Sequence, residues 1–177
     1  MTEMQMQAET PKAQMVNGFI VLDFPGIPKA VQSMRYARIG NFVRKYQPKD
    51  VIEWKNYIRM LLREQLPPGF QPLAPGKNEM IELRAVFVFP VLKGATKADR
   101  SWLAQGGLLF HNRKPDVTDN LMKGLSDAFT GILWTDDSKV CMLKTMKIDA
   151  GTPTVKVSVR VRDRVGGFLS VMDFLTL

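Results

Sequence analysis

Apolar and polar residues alternate along several stretches of the chain with the two-residue rhythm of a half-buried strand. Asn17 to Phe24 is β-rich and is stopped by Pro25-Gly26 and Pro28, which predicts a first strand. Met80 to Phe89 (MIELRAVFVF) alternates up to Pro90. Val140 to Ile148 and Thr154 to Val161 predict two further strands, joined by the turn Ala150-Gly151-Thr152-Pro153. Two other stretches follow helical spacing. In Asp50 to Leu66, Val51, Trp54, Ile58, Leu61 and Leu62 recur on one face, with Asp50 as the expected N-cap and Pro67-Pro68 as the stop. In Asp119 to Thr130, Leu121, Met122, Leu125, Ala128 and Phe129 form the apolar face, while Asp119, Lys123 and Asp127 fall at i, i+4, i+8 on another. Val91 to Arg113 reads as a long loop with a short helix around Ala98 to Ala104, and loops of this length in a compact domain usually carry function or disorder.

This order predicts an α+β fold of α/β type, a single small domain in which a mixed β-sheet has helices packed on it. The domain is expected over 16–165, between a flexible N-terminal tail (1–15) and an apolar C-terminal tail (166–177) in which Phe168 to Leu177 follows a Gly pair. A length of 177 residues suits one core of ordinary size.

Charge and composition narrow the chemistry. No window is apolar enough for a membrane span and no signal-peptide pattern opens the chain, so a cytoplasmic protein with no membrane association is expected. Cys141 and His111 are the single residues of their types, which excludes an internal disulfide and any Cys- or His-rich metal site. A metal would have to be held by oxygen, as magnesium or manganese prefer. The net charge of +8 favours a polyanionic partner. Lys29 to Lys49 contains Lys29, Arg35, Arg38, Arg44 and Lys45 with no acid, interleaved with Tyr36, Phe42 and Tyr46. That pattern suits a basic arm that follows a phosphate backbone and stacks on bases, or a solvated loop whose aromatics plug the core. Lys93, Lys97, Arg100, Arg113 and Lys114 add a second basic group.

Within this basic chain, residues 114–140 hold five carboxylates, all Asp: Asp116, Asp119, Asp127, Asp136 and Asp137. One by one they have ordinary explanations. Asp116 suits a helix N-cap with Asp119 in the first turn, and Asp136-Asp137 suits a turn before a strand. Together they suit phosphodiester hydrolysis, which needs divalent ions held by several carboxylates in a small space. A Lys one helical turn from such a carboxylate can offset charge on the phosphate.

The combination Lys114-Pro115-Asp116, Asp119-Asn120-Leu121-Met122-Lys123, Asp127-Ala128 and Asp136-Asp137-Ser138-Lys139-Val140 resembles the signature of the RusA family of Holliday junction resolvases. The resemblance implies a homodimeric, magnesium-dependent endonuclease, with manganese able to substitute, that resolves four-way DNA junctions by symmetric paired nicks, commonly in phages and prophages. It implies Asp116, Asp119 and Asp137 as catalytic metal ligands, Asp136 as the alternative to Asp137, and Lys123 as the catalytic lysine. One departure stands out. Two residues, Val117 and Thr118, separate the first two aspartates where the family commonly has one. The extra residue is expected to be absorbed by a bulge or by the turn into the helix, with Thr118 as N-cap. Two alternatives remain open at this level: a basic nucleic-acid-binding protein without chemistry, and a metal-dependent nuclease for flaps or other branched DNA.

Overall fold

The structure is a computed structural model and describes residues 11–31, 35–40 and 42–165. A six-stranded mixed sheet runs in the order β1-β2-β8-β5-β7-β6. Its strands are β1 (Gln14–Val16), β2 (Phe19–Pro25), β5 (Glu79–Pro90), β6 (Leu109–Phe110), β7 (Val140–Ala150) and β8 (Thr154–Asp163). A separate two-stranded ribbon is formed by β3 (Arg35–Ile39) and β4 (Phe42–Tyr46). The helices are α1 (Lys49–Gln65), α2 (Lys97–Ala104) and α3 (Lys123–Phe129); a π-helical turn, Val117–Met122, leads into α3, and a 3-10 turn, Asp137–Lys139, leads into β7.

The predicted α+β class is the observed one. The first strand needs correction. Asn17-Gly18 is a turn, both residues having positive φ (49° and 76°), and it joins β1 to β2 where a single strand was expected. Asn-Gly is the dipeptide that such a twisted two-residue hairpin turn favours. Gln14 and Met15 of the expected N-terminal tail thereby fall in β1, while residues 1–10 and the C-terminal tail lie outside the described residues. The basic stretch read as an arm or loop is the β3–β4 ribbon. Helix α1 starts at Lys49 with Pro48 at the N-cap position, two residues before the expected cap, so Asp50 lies in the first turn and complements the helix dipole.

α1 and α3 cover one face of the sheet. Trp54, Ile58, Leu61 and Leu62 of α1 and Leu125, Ala128 and Phe129 of α3 meet Leu22 and Phe24 of β2, Ile81, Leu83, Ala85 and Phe87 of β5, and Val155, Val157 and Val159 of β8 in one core. The alternation along β5 and β8 is thus the imprint of a sheet with one covered face. Gln65, buried at the end of α1, bonds both backbone groups of Asp23 (3.0 and 2.8 Å), acting where a strand neighbour would.

On the other face, Glu82 is buried under Arg84, Arg160 and Arg162 at 2.6, 2.7 and 3.2 Å. The guanidinium groups of Arg84 and Arg160 also lie 4.6 and 4.2 Å from the centre of the Phe19 ring. The carboxylate loses water, which raises its pKa, but hydrogen bonds and charge from Arg84 and Arg160 outweigh this and hold it below its usual value. Among the described residues no helix is long and apolar enough to cross a membrane.

Candidate active site

β5 and β7 are adjacent and parallel, so the chain between them must cross over, and every acid of interest lies on that crossover. Its first part returns along β7. Leu109 and Phe110 pair with Asp149 and Ile148, and the His111 amide donates to the Lys147 carbonyl at 3.0 Å. His111 then stacks on Phe89 (ring centroids 4.1 Å apart), with Nδ1 2.7 Å from the Asp149 carboxylate, to which Arg113 also donates at 3.2 Å. Lys147 donates from Nζ to the Arg113 and Pro115 carbonyls at 2.6 and 2.7 Å. The backbone entering Asp116 is therefore held by a lysine and an Asp–His–Arg cluster. Sequence reading did not single out Lys147, and the alternation gave no signal for it: the apolar residues Met142, Met146 and Ile148 fall on the other row of the strand, and Lys147 stands on the row of Leu143 and Thr145, where a lysine looks ordinary.

The extra residue between the first two aspartates is accommodated by the π-helical turn. The Leu121 amide lies 3.4 Å from the Asp116 carbonyl, and the Lys123 amide donates to the Thr118 carbonyl; each closes a five-residue step. A π turn takes in one more residue than an α turn and then rejoins the helix, so Leu121 and Leu125 keep their places in the core. The cap is Asp116, the first of the two caps the sequence offered, and not Thr118. Asp116 Oδ1 accepts from the Asp119 and Asn120 amides at 2.9 and 3.1 Å, and Oδ2 accepts from the Asn120 side chain. Desolvation pulls its pKa upward, but the bonds from the Asn120 side chain and backbone and from the Asp119 amide prevail and lower it.

Asp119 and Lys123, one turn apart, are both exposed, and Lys123 makes no ion pair among the described residues. Asp127 belongs to the packing of α1 on α3: its carboxylate is 3.5 Å from Lys55 and its carbonyl accepts from Arg59 at 2.9 Å. The segment leading to the second acidic pair is anchored by Trp134, fully buried edge-on to Phe129, and by backbone bonds between Leu73 and the residues flanking Trp134 (Leu133 carbonyl 2.8 Å, Thr135 amide 3.0 Å). There the two acids differ. Asp136 caps the 3-10 turn through Ser138, whose backbone amide donates to its carboxylate at 2.9 Å; the backbone and side chain of Ser138, then the Lys139 charge, lower its pKa against a small desolvation effect. Asp137 is exposed.

The π turn packs against β7 and the 3-10 turn against β5, so both acidic segments sit on the same central strand pair. Among the described residues no three His, Cys, Asp or Glu side chains gather into a metal-ligand group. Asp116, Asp119 and Asp137 are oxygen donors of the type a hard divalent cation takes, but in this structure they do not form a ready-made set of ligands.

Of the basic residues, Lys29, Arg38, Arg44, Lys93, Lys97 and Lys114 are exposed. Arg100 is exposed but turns its guanidinium back to the Leu92 and Lys93 carbonyls, and Arg113 is committed to Asp149. The side chains of Arg35 and Lys45 lie outside the described ones.

Residues 25–160, most of the chain and all of this crossover, match the family described as Endodeoxyribonuclease RusA. A stretch of 57 residues is 44% identical to "Uncharacterized protein YqaN" of Bacillus subtilis (strain 168). That match takes in 32% of this chain and 39% of that protein, so the chain spans well under two thirds of the relative's length. With the family match covering both acidic segments and the strands that carry them, the chain belongs to the RusA endodeoxyribonuclease family.

Proposed function

We propose that the protein is a magnesium-dependent endonuclease that resolves four-way DNA junctions by symmetric paired nicks, acting as a homodimer in the cytoplasm of a bacterial cell and serving phage or prophage recombination. Manganese is expected to substitute. The observation that carries this reading is the family match over a crossover that presents Asp119, Lys123 and Asp137 exposed on two well-anchored turns.

In this reading Asp116, Asp119 and Asp137 hold the cation, which when bound supplies the charge that activates water and stabilises the departing oxygen. Asp136, occupied as a cap, is the less available member of its pair. Lys123 places an ammonium one turn from Asp119, where it offsets negative charge building on the phosphate. The π turn fixes the direction in which Asp116 and Asp119 point, and Lys147 fixes the backbone that enters it. Lys29, Arg35, Arg38, Arg44, Lys45, Lys93, Lys97, Arg100, Arg113 and Lys114 supply the positive field that draws DNA, Arg113 least of them because its charge is paired with Asp149.

The test is cleavage of a matched set of four-way junction, flap, duplex and single strand, with and without magnesium. Junctions should be cut in pairs of nicks, and Asp119→Asn or Asp137→Asn should abolish cutting while junction binding is kept or improved, because each change removes a negative charge facing phosphate. Cutting retained by both variants defeats the site assignment. Asp116's role as a cap and the ungathered acids favour one rival, a binding protein without chemistry. Equal junction binding with and without magnesium, and no nick on any substrate, would establish that rival.

A further inference from the structure

The β3–β4 ribbon stands apart from the main sheet and carries large apolar side chains in water: Tyr36 is 68% exposed, Phe42 81%, Val43 68% and Tyr46 41%. A two-stranded ribbon has no core of its own, so such exposure calls for a ligand. The ribbon's composition selects one. Alternation puts Phe42, Arg44 and Tyr46 along one face and Tyr36 and Arg38 along the other, with Val43 opposite Arg38. The first face is thus a row of ring, guanidinium and ring, and the second pairs one ring with one guanidinium, with neighbours on a strand about 6.8 Å apart. No acid occurs from Lys29 to Lys49, so the surface complements a polyanion rather than another basic copy of this chain.

The ribbon is also tied to the candidate site. Val31, four residues before it, donates its amide to the Asn120 carbonyl of the π turn at 3.0 Å and lies over Gly124 of α3, where an added Cβ would collide with it.

We infer that the β3–β4 ribbon grips the bases whose stacking is interrupted where DNA branches, its aromatic rings stacking on their exposed faces while Arg38 and Arg44 hold the adjoining phosphates, and so makes branched DNA the preferred ligand over duplex. In a continuous duplex the bases are already stacked and offer the rings nothing; at a branch point they are free to do so. The inference rests on the nuclease reading only for the position of the branch relative to the acids.

The experiment measures binding of the full chain to a four-way junction and to a duplex of equal length in EDTA, where cleavage is stopped, with 2-aminopurine placed at the branch. The double variant Phe42→Ala/Tyr46→Ala should lose roughly tenfold or more in junction affinity, and the wild-type change in 2-aminopurine fluorescence should vanish. Duplex affinity should change by less than about twofold. Phe42→Tyr should restore junction binding, and unchanged thermal unfolding of the variants shows that the fold is intact. Equal losses on junction and duplex, an unchanged junction affinity, or conversion of a wild-type dimer to monomer overturns the inference, the last by making the ribbon a contact between copies. If the wild type shows the predicted pattern yet cuts nothing in magnesium, the nuclease reading falls and the ribbon's role stands; if it cuts junctions and the variant binds them normally, the ribbon's role alone falls.

Discussion

Asp116 is both the cap of the π turn and the first acid of the candidate site, and substitution separates these roles. Asn also caps well, so Asp116→Asn should unfold at nearly the wild-type temperature while losing most cleavage; Asp116→Ala should lose cleavage and also melt lower. A normally active Asp116→Asn enzyme would leave only the cap. Glu82 presents the opposite case, a carboxylate that serves the fold alone. Its folded pKa lies below 4.5, so the stability it contributes is fully present above about pH 4.5 and is lost as the pH falls through the lowered value. Glu82→Gln should cost about 2–3 kcal/mol at pH 7, below the roughly 3–5 kcal/mol of a fully buried broken pair because its arginines reach water. Denaturant titrations should show this gap closing in acid, where the wild-type side chain becomes neutral. A gap that stays constant as the pH is lowered to the acid unfolding of the protein would mean that shape, and not charge, sets the cost.

At the scale of elements, the contact between α3 and its neighbours depends on a missing side chain. Gly124 faces Val31 and Trp54 so closely that a methyl group would collide with Val31 and press on the Trp54 ring, 3.2 Å away. Gly124→Ala should therefore destabilise by about 1–3 kcal/mol, against the usual gain for Ala in a helix. A more stable variant would show that the Val31 segment yields easily. Periodicity revealed α1, β5 and β8 because each has one face in water and one in the core, which stamps its spacing on the sequence; β7 was legible from its alternation although it adds little to that core. The short helix expected around Ala98 to Ala104 is α2, which buries no face and is held at its start by the reciprocal cap of Thr96 and Asp99. Periodicity missed the ribbon, whose two faces are both exposed and so carry no alternation, and the two-residue β6, too short to have a period. The acidic residues were legible as a motif, and the extra residue between two of them as an anomaly. The π turn that accommodates it was not legible, because a single added residue changes hydrogen-bond register without changing which residues are apolar.

At the scale of the molecule, one chain with one set of acids makes one nick, whereas paired cutting needs two sets related by symmetry. Sedimentation at micromolar concentration should give about 40 kDa, twice the 20.0 kDa chain. A monomer that still makes paired cuts would refute the proposed assembly. The strand order has a separate consequence, for the timing of synthesis. β8, the last strand described, lies in the middle of the sheet, between β2 near the beginning of the chain and β5. Until it emerges from the ribosome, the β1–β2 hairpin has no edge to join and the core lacks Val155, Val157 and Val159. A chain ending at Pro153 should show no cooperative unfolding transition and no nuclease activity; a folded, active fragment would contradict this. The acids are all translated before β8, yet the sheet that positions them cannot close until after it, so a nascent or prematurely terminated chain should remain inert toward DNA.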